Sequence, residues 1–165
     1  VGDEPFAVLL GDTICVGNPN CTRGLVSIFE KLKSSVFSVE EIKLEETRRY
    51  GIVSGKIIED GLMLVDGLVE KPGPELAPSL LGIQGRYIFT PELFDYLNII
   101  GQGKNGEMQL TDAMQSFANK SKIYSWTFDG IRYDIGTMKD WFQSHIELSL
   151  QSEYSEIINE VVSRL

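Results

Sequence analysis

The sequence predicts an α/β fold with a β-hairpin inserted into the middle of the chain. Apolar strand-like runs alternate with amphipathic helix-like segments, which is the pattern of a sheet covered by helices. Two β-rich runs, residues 50–58 and 62–69, are separated by Glu59-Asp60-Gly61. An Asp-Gly pair between two such runs is a strong hairpin signal. The hairpin therefore interrupts the alternation of strands and helices.

The elements before the hairpin follow from hydrophobic patterning. Residues 6–10 form a continuous apolar run that ends at Gly11-Asp12, which predicts a strand buried on both faces of a parallel sheet. Residues 35–39 predict a second buried strand. Between them lies a helix whose apolar face carries Leu25, Ile28, Phe29 and Leu32.

The elements after the hairpin also carry start signals. Residues 82–89 predict a strand, and Thr90-Pro91 predicts a helix start with a hydroxyl N-cap. A second helix follows the Gly-rich stretch 101–106, and residues 123–128 predict a strand. Thr137 and Asp140 have the spacing of a capping box. We therefore divide the chain into a domain, residues 1–150, and an amphipathic C-terminal helix, residues 151–165. The apolar positions of these helices are Leu93, Phe94, Leu97 and Ile100, then Leu110, Ala113, Met114, Phe117 and Ala118, and finally Tyr154, Ile157, Ile158, Val161, Val162 and Leu165.

Composition excludes several functional classes. The chain has 165 residues and a net charge of -9, a balance that repels nucleic-acid backbones. It contains no apolar run near the ~20 residues that a membrane span requires. Cys15, Cys21 and one histidine are too few for a zinc site. We expect two free thiols in a cytoplasmic protein, and a Cys15–Cys21 disulfide is the alternative. Because the first residue is not Met and a strand-like run begins within five residues of it, we expect the chain to be part of a longer protein.

Two aspartates are candidate metal ligands. Asp12 and Asp134 each follow a strand-like run, and α/β sheets bind ligands beyond the carboxyl ends of their strands. Carboxylates in that place can hold Mg²⁺, which bridges to substrate phosphates. The alternative is that both are turn or cap residues, because Asp is common beside Gly.

The end of the hairpin offers candidate substrate-binding residues. Lys71 could bind a phosphate, and Glu70 could accept hydrogen bonds from vicinal sugar hydroxyls. Gly51 would let a ligand approach the backbone. The alternatives are a surface ion pair and a glycine at a bulge. The Gly-rich stretch could cradle a phosphate, but Glu107 and Asp112 favour a plain loop and capped helix.

Taken together, the segments resemble the bacterial UTP–glucose-1-phosphate uridylyltransferases. The resemblance extends from residue 1 to about residue 150, and its specificity comes from seven segments in the same order. They are residues 1–12 (VGDEPFAVLLGD), 45–53 (EETRRYGIV), 68–72 (LVEKP), 77–79 (APS), 85–92 (GRYIFTPE), 106–113 (GEMQLTDA) and 132–136 (RYDIG).

This resemblance implies a fold, a reaction and roles for particular residues. The fold would be a partial Rossmann-like nucleotidyltransferase sheet with C-terminal helices. The reaction joins UTP and glucose 1-phosphate into UDP-glucose and pyrophosphate, with Mg²⁺. Asp12 and Asp134 would hold the cation, Glu70 the glucose hydroxyls and Gly51 a backbone contact to the sugar. Lys71 would lie beside the sugar phosphate and act in both binding and catalysis.

The sequence departs from the family pattern in two places. The family's Gly-x-Gly-Thr-Arg loop, which would hold the UTP phosphates, is absent, and Leu80 replaces the usual Asn after Pro-Ser. We therefore expect the C-terminal sugar- and metal-binding part of the enzyme, inactive alone. The alternatives are a naturally truncated protein that binds a nucleotide sugar or a partner chain without catalysis, and a transferase for another sugar or nucleotide. An uncovered sheet edge predicts a homo-oligomer.

Overall fold

A computed structural model describes residues 1–101 and 108–164. Most of the Gly-rich stretch, together with Glu107 and Leu165, lies outside the described residues. The strands are β1 (Phe6–Leu9), β2 (Thr13–Val16), β3 (Val36–Glu41), β4 (Gly51–Glu59), β5 (Leu62–Glu70), β6 (Leu81–Phe89), β7 (Tyr124–Thr127) and β8 (Ile131–Asp134). The helices are α1 (Cys21–Leu32), α2 (Leu93–Ile99), α3 (Leu110–Ala118), α4 (Met138–Leu150) and α5 (Ser155–Val162), and a 3₁₀ helix spans Leu44–Arg48.

The main sheet is mixed, with the order β1-β6-β3-β7-β5-β4. Only β3 and β7 pair in parallel, and the other pairings are antiparallel. Strands β2 and β8 form a separate antiparallel ribbon, which pairs Thr13 with Asp134 and Val16 with Ile131. The α/β class is confirmed, and the ribbon joins a segment near the start of the chain to residues 131–134.

The prediction that the first strand is buried on both faces of a parallel sheet is wrong. Strand β1 is an edge strand that pairs antiparallel with β6. Phe6 and Val8 pack on the core, whereas Ala7 and Leu9 are exposed. A continuous apolar run does not distinguish a strand covered on both faces from one covered on one face.

The predicted hairpin is confirmed as β4 and β5, and it is built into the main sheet. Strand β5 pairs with β7, and Ile52 of β4 pairs with Gly82 of β6. The turn places Gly61 at a φ of +71°, which is the left-handed region that glycine tolerates. The hairpin is therefore an integral part of the main sheet.

Helices cover both faces of the sheet. The larger core cluster joins β3, β5 and β6 to α2 and α3, and it includes Phe37, Phe89 and Phe117. The smaller cluster packs α1 on the opposite face through Cys21 and Leu25. This arrangement buries the second predicted strand, β3, on both of its faces.

Helix starts differ in part from the sequence predictions. Thr90 does not cap α2, because its hydroxyl lies 3.2 Å from Ser35 Oγ and α2 begins at Leu93 without a side-chain cap. Thr137 caps α4 as predicted, since the Asp140 N–H donates to its hydroxyl at 3.1 Å. The Asp140 carboxylate itself pairs with Arg49 at 2.9 Å.

The C-terminal tail forms α5, and the residues of this helix are half-buried or exposed. Ile157, Val161 and Val162 are each more than half exposed. Across the described ranges 1–101 and 108–164, no helix has the length and apolar character needed to cross a bilayer.

Candidate functional site

A cavity of about 500 Å³ lies where the β2–β8 ribbon meets β4, β5 and β6. This volume is in the range of small-molecule sites. All five predicted site residues line it, namely Asp12, Gly51, Glu70, Lys71 and Asp134. The structure therefore brings the two candidate metal ligands and the three candidate substrate residues together.

Asp12 and Asp134 meet because the ribbon pairs their neighbourhoods. The Ile135 N–H donates to the Asp12 backbone carbonyl at 2.8 Å, which fastens the two segments beside the carboxylates. A Cβ built on Gly136 would lie 3.2 Å from Asp134 Oδ1 and 3.5 Å from Asp12 Oδ2. The missing side chain of Gly136 thus leaves one small space that both carboxylates face.

Asp134 is held by a dense set of donors. Its Oδ2 accepts from the Tyr50 hydroxyl at 2.6 Å and from Arg49 at 2.9 Å, and its Oδ1 accepts from the Gly136 N–H at 3.0 Å. Burial alone would raise the pKa of Asp134, but these hydrogen bonds and the charges of Arg132 and Arg49 outweigh it, so the pKa is lowered. The carboxylate is therefore ionised at neutral pH.

Arg132 lies beneath this network. Its side chain is 9% exposed, it pairs with Glu40, and its Nη1 lies 3.4 Å from Asp134 Oδ2. Its guanidinium also lies 4.5 Å from the centroid of the Tyr50 ring. Burial by itself would lower the pKa of Arg132, but the larger combined effect of Tyr50 and Glu40 raises it above the ordinary value. The guanidinium therefore stays charged. The site thus contains a fixed buried cation beside the carboxylates.

A second corner of the cavity is built around Glu70. The Thr111 hydroxyl, in the first turn of α3, donates to Glu70 Oε2 at 2.6 Å. A Cβ on Gly51 would lie 3.0 Å from Thr111 Oγ1 and 3.2 Å from Glu70 Oε2. The absence of a side chain at Gly51 therefore lets Thr111 and Glu70 pack closely against the backbone of β4.

Lys71 lies at the mouth of this corner. Its φ of +45° is in the left-handed region, which is uncommon for a residue with a side chain. Its N–H donates to the Tyr50 carbonyl at 3.2 Å, and its Nζ lies 3.2 Å from Glu70 Oε1. The side chain is 55% exposed, so the ammonium is accessible to an anion in the cavity.

Gln84 lines the cavity from β6 and is 1% exposed. Among the described residues, neither its Oε1 nor its Nε2 has a hydrogen-bond partner. Leaving a buried amide unpaired costs about 1–3 kcal/mol. An unpaired amide at a cavity wall is a group available to a ligand or to water.

The thiols of Cys15 and Cys21 are free, as the sequence predicts. Cys15 lies on β2 opposite Arg132, and it packs against Cys21 at the start of α1. A hydrogen bond with Cys21, opposed by burial and assisted by Arg86 and Arg132, lowers the pKa of Cys15 to about 7.

The sequence predictions missed the residues that support the site. Arg49, Tyr50, Thr111 and Arg132 lie within segments that carry the family resemblance, yet no role was assigned to them. Their roles depend on contacts between distant parts of the chain, such as Tyr50 with Asp134. Gln84 sits in a strand-like run, where its only signal is a polar residue at a buried position.

The metal-binding potential of the cavity depends on two carboxylates. Within residues 1–101 and 108–164, no cluster of three or more His, Cys, Asp or Glu side chains could hold a metal. Mg²⁺ is usually bound by one or two carboxylates together with water and substrate phosphates. Asp12 and Asp134, with the space beside Gly136, fit this mode of binding.

Comparisons with known proteins identify the family of the chain and agree with its fold. The sequence profile of the nucleotidyl transferase family matches residues 1–150. The UTP–glucose-1-phosphate uridylyltransferase of Bacillus subtilis is 42% identical over 153 residues, which is 93% of this chain and 52% of the relative. That of Pseudomonas aeruginosa is 38% identical over 146 residues, which is 87% of this chain and 52% of the relative. The chain thus spans about half the length of these relatives.

The fold also matches a solved structure closely. A crystal structure of UDP-glucose pyrophosphorylase complexed with UDP-glucose superposes with a TM-score of 0.89 and 36% identity, over 92% of this chain and 59% of the other. The mixed sheet with helices on both faces and the profile match indicate the same family. On this evidence the chain belongs to the nucleotidyl transferase family.

Proposed function

We propose that this chain supplies the sugar-phosphate and metal-binding part of a UTP–glucose-1-phosphate uridylyltransferase. The observation that carries the proposal is the single cavity that contains Asp12, Gly51, Glu70, Lys71 and Asp134. It has an acidic end suited to a cation and a second end suited to a sugar. The names of the relatives at 38–42% identity support the same reaction.

The proposed binding mode follows from the donors and acceptors at the Glu70 corner. With one oxygen held by Thr111, Glu70 is oriented to accept hydrogen bonds from sugar hydroxyls. Gly51 lines the cavity beside Glu70, where its backbone would contact the sugar. Lys71 neutralises the phosphate of glucose 1-phosphate. A bound sugar phosphate would replace the Lys71–Glu70 ion pair with contacts of its own.

The proposed chemistry requires no protein nucleophile. An oxygen of glucose 1-phosphate attacks the α-phosphorus of UTP, a new P–O bond forms, and the α–β bridging P–O bond breaks to release pyrophosphate. The contribution of the protein is to position two anions in line and to offset their charge. Lys71, Arg49 and the buried Arg132 are cations that this chain brings to the cavity.

Asp12 and Asp134 are the residues that would hold Mg²⁺. When bound, the ion neutralises phosphate charge and helps to orient the reacting groups. The Tyr50 and Arg49 contacts keep Asp134 ionised and oriented for that role.

Calorimetric titration of UDP-glucose, with and without Mg²⁺, tests the proposal. We expect binding that Mg²⁺ strengthens in the native chain and that loses its Mg²⁺ dependence in Asp12→Asn. Asp60→Asn, in the exposed hairpin turn, is the matched control and should bind like the native chain. Binding of UDP-glucose with no effect of Mg²⁺ or of Asp12→Asn would contradict the metal assignment.

A turnover assay separates catalysis from binding. We expect this chain alone not to convert UTP and glucose 1-phosphate, because it lacks a Gly-x-Gly-Thr-Arg loop. Conversion at the rate of a complete enzyme would show that the loop is dispensable. Competition by UDP-N-acetylglucosamine or dTDP-glucose tests whether another sugar or nucleotide is preferred.

We also propose that the protein forms a homo-oligomer. Exposed apolar side chains on α4 and α5, including Phe142 at 60% and Val162 at 62% exposed, offer a surface for association. Sedimentation at high concentration should reveal a dimer or larger species. A strict monomer would contradict this expectation.

A further inference from the structure

We propose that the side-chain amide of Gln84 binds the sugar of the ligand through its hydroxyl groups. The inference rests on the proposed function and adds a specificity-determining residue to it. Gln84 is only 1% exposed and lines the cavity. Neither its Oε1 nor its Nε2 has a hydrogen-bond partner in the part of the chain that the structure describes. Buried amides with no partner are uncommon in folded proteins, so this one calls for a partner that arrives with the ligand.

Along β6, Gln84 lies between Ile83, which is at the Glu70 corner, and Gly85, which is against Leu10. The preceding residue, Ile83, brings its Cδ1 to 3.0 Å from the place that a Cβ on Gly51 would occupy, beside Glu70 and Thr111. The following residue, Gly85, has a φ of +78°, and a Cβ there would press on Leu10. Residues 83–85 therefore line the cavity continuously, starting at the Glu70 corner.

The chemistry of the amide also favours hydroxyl groups over phosphate. A side-chain amide presents an acceptor, Oε1, and donors on Nε2. Phosphate oxygens could satisfy the donors but would leave Oε1 unpaired and repelled. A sugar hydroxyl both donates and accepts, so vicinal hydroxyls can satisfy both ends of Gln84. Glu70 accepts only, and the two side chains would therefore bind the polyol in complementary ways.

The other unpaired buried group makes a useful comparison. Ser125 Oγ on β7 also lacks a partner among the described residues, but it is not among the residues that line the cavity. A hydroxyl can rotate toward neighbouring backbone oxygens, whereas the amide of Gln84 is planar and larger. Gln84, unlike Ser125, is both unpaired at a buried position and part of the cavity wall.

The test compares two identical substitutions, Gln84→Leu and Gln115→Leu. In Gln84→Leu we expect UDP-glucose affinity to fall about tenfold, the loss of roughly one good hydrogen bond. The melting temperature without ligand should be unchanged or higher, because the substitution removes an unpaired polar group. Gln115 accepts from the Leu68 N–H at 2.5 Å, away from the cavity. Gln115→Leu should therefore lower the melting temperature and leave the affinity unchanged.

Analogues of UDP-glucose that each lack one sugar hydroxyl identify the contact. An analogue that lacks the hydroxyl bound by Gln84 should bind the native chain more weakly than UDP-glucose does. The Gln84→Leu variant should bind this analogue and UDP-glucose with equal affinity. UTP should bind equally well to both proteins. If Gln84→Leu does not fold, Gln84→Met, with its flexible side chain of similar length, serves the same comparison.

Several outcomes would overturn the inference. Unchanged UDP-glucose affinity would mean that the amide binds only water. A loss of affinity accompanied by a lower melting temperature would assign Gln84 a structural role, and a loss specific to UTP would assign it to the nucleotide. If the native chain binds no UDP-glucose, the proposed function itself fails and this inference with it. Native binding with an unaffected Gln84→Leu overturns this inference alone.

Discussion

Replacing Tyr50 by Phe tests how the Asp134 network stabilises the protein. The hydroxyl donates to Asp134 Oδ2 at 2.6 Å. The substitution removes this bond and keeps the ring that lies 4.5 Å from the Arg132 guanidinium. A hydrogen bond to a charged group contributes about 1.5–3 kcal/mol. Because the Asp134 side chain is 22% exposed and keeps its arginine partners, we take the lower value, about 1.5 kcal/mol. For a chain of this size the melting temperature should fall by about 3–6 °C at pH 7.

The effect should depend on pH in a defined direction. The folded state lowers the pKa of Asp134 from its ordinary 3.8, so the ionised form is favoured by folding. Stabilisation by the network is therefore present above the unfolded pKa and is lost as the pH falls through the lower folded pKa. The difference between Tyr50→Phe and the native chain should be full at pH 7 and pH 5 and should shrink from pH 4 to pH 3.

Thermal unfolding across this pH series is the assay, and Tyr133→Phe is the matched control. Tyr133 is buried, and its hydroxyl accepts from Gln151 Nε2 at 3.2 Å, a neutral bond. Its loss should lower the melting temperature by the same small amount at every pH. Equal melting temperatures for Tyr50→Phe and the native chain at pH 7 would refute the reasoning. A pH-independent difference would show that the hydroxyl does not act through the Asp134 carboxylate.

Three further predictions concern neighbouring groups. Thr111→Val should weaken UDP-glucose binding about tenfold by releasing Glu70, while Thr111→Ser should bind normally; equal affinities for the two variants in calorimetry would exclude this positioning role. Gly51→Ala should weaken UDP-glucose binding, because the new methyl displaces Thr111 and Glu70. Gly101→Ala, with open space around it, should bind normally, and a similar loss in both variants would contradict the steric argument. Cys15 should be alkylated with a rate midpoint near pH 7, and a midpoint near its ordinary 9.0, measured by mass-mapped labelling, would contradict the lowered pKa.

Local signals predicted much of the fold. The Asp60-Gly61 turn, the apolar face of α3 and the Thr137 cap all depend on residues close together in sequence. The failures have a common cause, because they depend on contacts from elsewhere in the chain. Thr90 could not be recognised as a partner of Ser35, because the two residues are 55 positions apart in sequence and meet only when β3 pairs with β6.

The candidate site was predicted as a set of residues but not as a network. Resemblance assigned Asp12, Asp134, Gly51, Glu70 and Lys71, and all five line one cavity. Their roles remain proposals. The supporting side chains could not be predicted, because a tyrosine or arginine stabilises Asp134 only when its orientation and burial in the folded chain bring it within hydrogen-bonding distance. Strand β2 was missed for a similar reason, since its four residues pair with a strand near the other end of the domain.

The β2–β8 ribbon has a consequence for folding kinetics. Its pairing joins residues 13–16 to residues 131–134, so a long intervening stretch of the chain must be closed into a loop when these strands meet. Long-range pairings of this kind carry a large loop-closure entropy and slow the search for the native topology. The ribbon should therefore form late, and its amides should exchange with solvent through partial opening before those of β3 do. A ligand that joins Asp12 to Asp134 would hold this seam closed and delay that exchange.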